Sequence, residues 1–168
     1  MTSAELTFEA KKIRKIILTM ISETKSSHVG SCFSITDILT VLYKNILSIK
    51  APNDPNRDIF ILSKGHAAVA LYATLASCGF FDMELLKTYA QDGSKLAGHV
   101  IKDSAPGIEA TAGSLGHGLS LITGFALANI KNERRFYCLL GDGECNEGSV
   151  WEAAAFCSQF NLNKVTSI

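Results

Sequence analysis

The stretch of residues 136–156 constrains the fold more than any other part of the chain. The apolar, β-prone run FYCLL is followed by Gly141-Asp142-Gly143, and a segment of helix composition begins at Val150. This order predicts a strand, a glycine turn and a helix. Ligands of open α/β sheets bind at the carboxyl ends of strands, so Asp142 is expected beside a bound metal or phosphate. A glycine-flanked Asp also occurs in ordinary turns, and the tripeptide alone leaves both readings open.

The same unit occurs earlier in the chain. Ile59–Ser63 is a continuous apolar run of strand length, and the turn Lys64-Gly65-His66 leads into an alanine-rich helix ending near Ala76. Strands that alternate with helices predict an α/β fold, namely a doubly wound, mainly parallel sheet with helices on both faces. This arrangement places His66 at the carboxyl end of a strand.

Other helices are predicted from their end signals and apolar stripes. Thr2 and Glu5 fit a capping box ahead of an amphipathic helix, and a second helix is expected to start at Ser34. Asp82 is expected to cap a short helix. A further helix, from Leu119 to about residue 130, is apolar nearly all round and is therefore predicted to be buried.

Two glycine-bearing loops carry candidate ligand contacts. The long loop between Gly93 and Gly113 contains His99 and has almost no periodicity, which is typical of a functional or a disordered segment. It leads into GSLGHG, which ends at Gly118. Free N–H groups at the start of the next helix could bind an anion, although tight packing would also favour these glycines. His28 lies in a turn before the second helix, where a lone histidine is most often a surface residue.

Composition excludes several classes of function. Sixteen basic and sixteen acidic residues cancel, so no long-range field draws the protein to nucleic acid or to a membrane. No apolar span has membrane length. The five cysteines form no C-x-x-C pair, which indicates reduced thiols and a cytoplasmic location. An activated thiol at Cys145 is the minority reading, since no basic residue flanks it.

Four stretches together resemble one enzyme family. They are HVGSCFSITDILTVLY, LSKGHAAVALYATLA, GSKLAGHVIKDSAPGIEATAGSLGHGLS and GDGECNEGSVWEA, and the region from the start of the first to the end of the last spans most of the chain. In order and spacing they resemble the N-terminal, thiamine diphosphate-binding domain of transketolases. The resemblance implies the diphosphate domain of the thiamine diphosphate-binding fold. It also implies transfer of a two-carbon ketol unit between sugar phosphates.

The resemblance assigns roles to individual residues. His28, His66 and His99 match histidines that line the substrate channel and assist proton transfer, and His66 is also expected to contact the cofactor. The family segment that contacts the cofactor through its backbone corresponds to Gly113, Ser114 and Leu115. His117 stands where the family often has Gln or His and is not expected to be catalytic.

The resemblance also implies a metal site. Asp142 matches a ligand of Mg²⁺, for which Ca²⁺ or Mn²⁺ could substitute, and Gly143 matches a diphosphate contact. Glu147 matches a buried acid that links the two cofactor sites of a dimer. Carboxylate, carbonyl and phosphate oxygens are the ligands that Mg²⁺ prefers.

The match to the family is incomplete. The Asn that closes the family motif, roughly thirty residues after its Asp, would fall beyond Ile168. Residues 1–168 are therefore expected to form a single diphosphate-binding domain that is incomplete at its C-terminus. The pyrimidine-binding domain is absent, so we expect a partner: missing C-terminal domains or a separate C-terminal transketolase subunit, in a homodimer or a heterotetramer.

Three alternatives remain from the sequence. An inactive, truncated subunit would only dimerise or bind a partner. The sibling enzymes 1-deoxy-xylulose-5-phosphate synthase and dihydroxyacetone synthase share parts of the pattern. A nucleotide-binding Rossmann domain is disfavoured, because neither G-x-G-x-x-G after the first strand nor a Walker A lysine motif is found.

Overall fold

The chain forms a three-stranded parallel sheet. The computed structural model describes all residues from Met1 to Ile168. The strands are β1 (Ile59–Leu62), β2 (Phe136–Leu139) and β3 (Val165–Ser167), and their order in the sheet is β1-β2-β3. In the register, Phe136 pairs with Ile59 on one side and with Val165 on the other. The predicted parallel sheet is confirmed.

Helices connect the strands and pack on both faces of the sheet, as predicted. The α-helices are α1 (Ser3–Thr24), α2 (Val29–Val41), α3 (Ala68–Ser77), α4 (His117–Ala128) and α5 (Gly148–Gln159). A π-helical turn, Leu42–Ile46, extends α2, and short 3₁₀ turns occur at Gly65–Ala67, Met83–Thr88 and Gly143–Asn146. None of these helices has the length and apolarity needed to cross a bilayer.

The side chains of β1 alternate between two cores. Phe60 and Leu62 join a cluster of 28 buried residues that includes residues of α1, α2 and α3, whereas Ile59 and Ile61 join a cluster of 11 that includes residues of α4 and α5. This division follows from the two-residue period of a strand. We call the two sides of the sheet the α3 face and the α4 face.

Local sequence signals predict the start of the first helix correctly but not that of the second. At α1 the predicted capping box is present: Thr2 N–H donates to Glu5 Oε2 (2.7 Å) and Glu5 N–H to Thr2 Oγ1 (3.3 Å). At α2 the prediction was wrong, since the helix begins at Val29 and not at Ser34. Cys32, in the added turn, is fully buried, so packing extends the helix beyond its local start signal.

The environment of α4 also differs from the prediction. The helix was expected to be buried, but Leu121 and Leu127 are 41% and 39% exposed. Ile122 and Ala126, on the other side of the helix, are buried on the α4 face. Only one side of α4 packs on the sheet, and no element of this chain covers the other side.

A buried carboxylate fixes the amino ends of the strands. Asp58 is 5% exposed, and its side chain accepts bonds from Ser48 N–H (2.9 Å) and Arg135 N–H (2.8 Å). The segments that enter β1 and β2 are therefore held together at the amino edge of the sheet.

Candidate active site

The carboxyl ends of β1 and β2 carry a set of polar residues. Ser63 and Lys64 follow β1 directly and are buried, and His66 lies in the 3₁₀ turn that comes next. Gly141 and Asp142 follow β2 after one further residue. Because the strands are parallel, these residues share one edge of the sheet, as the sequence predicted.

Three histidines from distant parts of the sequence lie together at this edge. The ring centroids of His28 and His66 are 5.0 Å apart, and those of His28 and His99 are 6.3 Å apart. His28 is exposed, but its ring lies beside those of the other two histidines and is not an isolated surface group. The structure thus brings together all three histidines that the sequence singled out.

The backbone around each histidine fixes its position. His28 has a left-handed φ of 72° directly before α2, a conformation that is uncommon for a residue other than glycine. The loop that carries His99 is held by the hydroxyl of Tyr72, which donates to the carbonyl oxygens of Ala97 (3.1 Å) and His99 (3.3 Å). The histidine positions are therefore set by the fold.

Gly65 lets the His66 turn approach the loop that precedes α4. A Cβ at Gly65 would lie 2.3 Å from the carbonyl oxygen of Ala112, which is too close for any larger residue. One residue further, Gly113 lies against the His99 ring, since a Cβ there would be 3.3 Å from His99 Cδ2. The predicted cofactor segment thus begins beside two of the three histidines.

The environment of His66 favours its neutral form. Burial lowers the pKa of His66 below its ordinary value, and the positive charges of His28, Lys64 and His99 lower it further. The carboxylate of Glu144 opposes this shift. A neutral imidazole can accept a proton from a hydroxyl group, which is what general base catalysis requires.

The rest of the predicted cofactor segment faces solvent. Ser114 and Leu115 are exposed, and the helix α4 starts two residues after Leu115. Gly116 has a φ of 82°, and a Cβ there would lie 2.4 Å from Ser149 Oγ, so only glycine fits. Ser149 Oγ also donates to the carbonyl oxygen of Gly116 (2.8 Å), which joins the segment to α5.

Asp142 and Gly143 are exposed beside the carboxyl end of β2, where a ligand could reach them. No group of three or more His, Cys, Asp or Glu side chains is arranged to hold a metal ion by itself. A cation at Asp142 would need further oxygen ligands, and a diphosphate carries oxygens of the kind that Mg²⁺ prefers. One accessible carboxylate therefore fits a cation that arrives together with a phosphorylated cofactor.

Glu144 is an acid of this loop that is buried within the chain itself. Glu147, which the resemblance matches to a buried acid that links the two cofactor sites of a dimer, precedes α5 in extended backbone and is exposed in the single chain. Glu144 lies in the 3₁₀ turn and is 1% exposed. It accepts hydrogen bonds from Gly116 N–H (2.8 Å), Gly141 N–H (3.0 Å) and the Ser63 hydroxyl.

Lys64 is a second charged residue that the sequence did not single out. Its side chain crosses close to Gly141, and it is 7% exposed, with Nζ donating to Ser34 Oγ (3.2 Å). Burial lowers the pKa of Lys64, while the negative charges of Asp142 and Glu144 act in the opposite direction. The sequence did hold a signal for Lys64, because a charged residue that directly follows a buried apolar strand is unusual.

The comparisons with known proteins agree with this geometry. The profile of the family described as transketolase, thiamine diphosphate binding domain, matches residues 7–168. An apulose-4-phosphate transketolase subunit of Actinobacillus succinogenes is 42% identical over 98% of this chain and 61% of its own length. The 6-deoxy-6-sulfo-D-fructose transketolase subunit SqwG of a Clostridium species is 42% identical over 95% of this chain and 59% of its own length.

A solved structure leads to the same family. The transketolase from Leishmania mexicana superimposes on 99% of this chain with a TM-score of 0.89 and 30% sequence identity, and this chain covers 27% of it. The chain thus spans about 60% of the two subunits described above and about a quarter of this longer enzyme. The chain belongs to the family of thiamine diphosphate-binding domains of transketolases.

Proposed function

We propose that this chain is the diphosphate-binding part of a transketolase that transfers a two-carbon ketol unit between sugar phosphates. The observation that carries the proposal is the convergence of His28, His66 and His99 beside the segment that starts at Gly113. Similarity to proteins named as transketolase subunits favours this reaction over that of 1-deoxy-xylulose-5-phosphate synthase.

The cofactor would be thiamine diphosphate with Mg²⁺, or with Ca²⁺ or Mn²⁺ in its place. Asp142 would bind the cation, and the backbone at Gly143 and in the segment Gly113–Leu115 would contact the cofactor. When bound, the thiazolium ring supplies the nucleophilic carbon and stabilises the charge of the two-carbon fragment. The nearby ammonium of Lys64 adds positive charge to the edge that receives the diphosphate.

The histidines would move protons between sugar hydroxyls and solvent. His66 is held in its neutral form near neutral pH, because burial and neighbouring positive charges lower its pKa. His28 and His99 are more exposed than His66, and their ring centroids are 6.3 Å apart. In this arrangement His66 accepts a proton, and the outer histidines position hydroxyl groups of the substrate.

A second subunit would complete the enzyme. The apolar residues Leu121, Leu127 and Trp151 remain exposed on α4 and α5, the two helices on the α4 side of the molecule. We assign this side to contacts within a heterotetramer or homodimer in which another chain supplies the pyrimidine-binding domain. The five cysteines are free thiols, which suits an enzyme of the cytoplasm.

Ketol transfer by the assembled protein tests the proposal. The full-length chain would be purified together with its partner and supplied with thiamine diphosphate, Mg²⁺, a ketose phosphate and an aldose phosphate. We expect ketose-dependent transfer and no use of pyruvate as donor. A folded assembly without transfer would support the inactive-subunit alternative, and a preference for pyruvate would support the synthase.

Asp142→Ala tests the metal assignment. Loss of the carboxylate removes a metal ligand, so we expect the assembled enzyme to bind thiamine diphosphate and Mg²⁺ at least about 100-fold more weakly. Loss of a residue that only supports a metal ligand lowers affinity by about 10- to 100-fold. Isothermal titration calorimetry measures this affinity. Asp92→Ala, at an exposed turn residue without a side-chain hydrogen bond, is the matched control. Unchanged affinity in Asp142→Ala would show that the cation binds elsewhere.

A further inference from the structure

We propose that Glu144 is a positioning residue that fixes the segment Gly113–Leu115 relative to Asp142. This role rests on the proposed function, since it concerns the two groups expected to hold the cofactor. No sequence pattern indicated a role for Glu144, and its side chain is too buried to touch a ligand at the surface. Its effect on the site must therefore act through the loops that it joins.

The contacts of Glu144 join three loops that are far apart in sequence. Oε1 accepts from the Ser63 hydroxyl, after β1, and from Gly116 N–H (2.8 Å), before α4. Oε2 accepts from Gly141 N–H (3.0 Å), after β2. One carboxylate thus spans the carboxyl ends of two strands and the start of a helix.

The two groups of interest lie next to these anchor points. Leu115, the last residue of the predicted cofactor segment, precedes Gly116, and Asp142 follows Gly141. Since both anchor N–H groups bind the same carboxylate, the separation of the two ligand-binding loops is set within a few ångströms before any ligand arrives. Preorganisation of this kind is what holds a binding site in its productive geometry.

Ser63 extends the network by one more bond. Its hydroxyl donates to Glu144 and its Oγ accepts from Gly118 N–H (3.0 Å) in the first turn of α4. Glu144 forms no ion pair, and the ammonium of Lys64 interacts with its negative charge without a direct contact. Three donated hydrogen bonds therefore hold a buried carboxylate in place, as a buried polar group requires.

Glu144→Gln breaks the network without changing its shape. Glutamine has one acceptor oxygen, so its amide NH₂ must face either Gly141 N–H or Gly116 N–H, and both of these are donors. The Ser63 oxygen accepts from Gly118 with one lone pair and could accept from the amide NH₂ with the other, but this does not give the backbone N–H that faces the NH₂ an acceptor. One of the two loops therefore loses its anchor in either orientation of the amide.

The test uses the full-length chain assembled with its partner subunit. Calorimetry gives the affinity for thiamine diphosphate with Mg²⁺, and hydrogen exchange of the cofactor-free assembly gives the protection of individual amides. For Glu144→Gln we expect at least about tenfold weaker binding and faster exchange at Gly116 or Gly141. Glu133→Gln, the same substitution at a side chain that is 96% exposed, should change neither quantity.

Ser63→Ala provides a second variant in case Glu144→Gln does not fold. It removes one donor to Glu144 and the acceptor of Gly118 but leaves both backbone bonds of Glu144 in place. We expect faster exchange at Gly118, while Gly116 and Gly141 stay protected and thiamine diphosphate with Mg²⁺ binds as before; weaker binding with both amides still protected would overturn the role of Glu144.

The outcomes separate this proposal from the proposed function. If the unaltered assembly does not bind thiamine diphosphate, the proposed function and this role both fail. If it binds and Glu144→Gln binds equally well, only the role of Glu144 is overturned. A variant that is less stable yet binds the cofactor normally below its unfolding temperature would likewise reduce Glu144 to a structural residue.

Discussion

The α3 face and the α4 face of the sheet are covered to different degrees by the same chain. On the α3 face every residue from Ala68 to Ala76 is buried, because α3 lies beneath α1 and α2. On the α4 face, α4 and α5 form the outermost layer, and the large side chains of Leu121, Trp151 and Phe160 remain 41%, 65% and 46% exposed. The larger core, with 28 buried residues against 11, lies on the α3 face.

This difference separates two uses of apolar residues. Those of the α3 face stabilise the chain itself, whereas those on the outer side of α4 and α5 gain little from folding. Contiguous exposed apolar surface usually marks an interaction site. The candidate active site lies at the edge that both faces share, so it borders the closely packed α3 face on one side and the more exposed α4 face on the other.

The largest effect is expected from a substitution that creates a cavity in the core on the α3 face. Leu39 is fully buried in α2, so Leu39→Ala should lower the free energy of unfolding of the full-length chain by about 2–5 kcal/mol. Denaturant unfolding measures the loss, which should not depend on the partner subunit. A loss below about 1 kcal/mol would mean that the α3 face is not closely packed.

A smaller effect is expected from a substitution on α5, and it concerns association with the partner instead of the stability of the chain. Trp151→Ala should weaken association with the partner by about 2 kcal/mol, or roughly 30-fold in Kd, because exposed Trp residues are frequent anchors of interfaces. The stability of the unassembled chain should change by only about 1 kcal/mol, through loss of the bond from Trp151 Nε1 to the Cys145 carbonyl (2.8 Å). Analytical ultracentrifugation measures the association.

Phe8→Ala is the matched control for Trp151. Phe8 is 59% exposed on α1, which packs on the α3 face, and the ammonium of Lys12 lies 4.4 Å from the centre of its ring. Its removal should leave association unchanged and cost about 0.5–1 kcal/mol of stability. Equal weakening of association by both variants would contradict the distinction between the two faces.

The smallest effect is expected at the edge between the faces, and it depends on pH. Because the pKa of His66 is lowered in the folded chain, the unfolded chain binds a proton more readily as the pH falls through 6.5. The contribution of His66 to the free energy of unfolding is therefore fully present at higher pH and decreases as the pH falls. The decrease ends when His66 is also protonated in the folded chain. His66→Asn removes this dependence.

The variant should thus become more stable relative to the unaltered protein as the pH decreases from about 8 to 5. Urea unfolding across this range measures the difference between the two proteins. The groups that act on His66 are His28, His99, Lys64 and Glu144, and they are the same in both proteins. A difference that does not vary with pH would contradict the lowered pKa.

The sequence predicted the features that depend on local pattern. The strand–turn–helix units at β1 and β2, the capping box of Thr2 and the position of Asp142 all follow from residues close together in the chain. The parallel order of the strands was also predictable, because helices separate them. The convergence of the three histidines required the family resemblance, since their loops are far apart in sequence.

Features that depend on distant packing were not predictable. Glu144 and Glu147 are both acids in one glycine-rich loop, and only the bonds to Ser63 and Gly116 show which of them is buried. The exposure of α4 has the same origin, because its composition indicates burial but does not specify whether this chain or another one covers it. The roles of individual site residues remain predictions for the experiments described above.

The carboxylate of Asp58 has a practical consequence for work on this protein. It clamps the strand entrances at the end of the sheet opposite the histidines, and the nearby residues Asn53 and Asn56 are exposed. A fluorescent label or surface tether attached at either asparagine would report on the molecule from a site remote from the chemistry. Single-molecule measurements of subunit exchange and turnover could then be made on an otherwise unaltered protein.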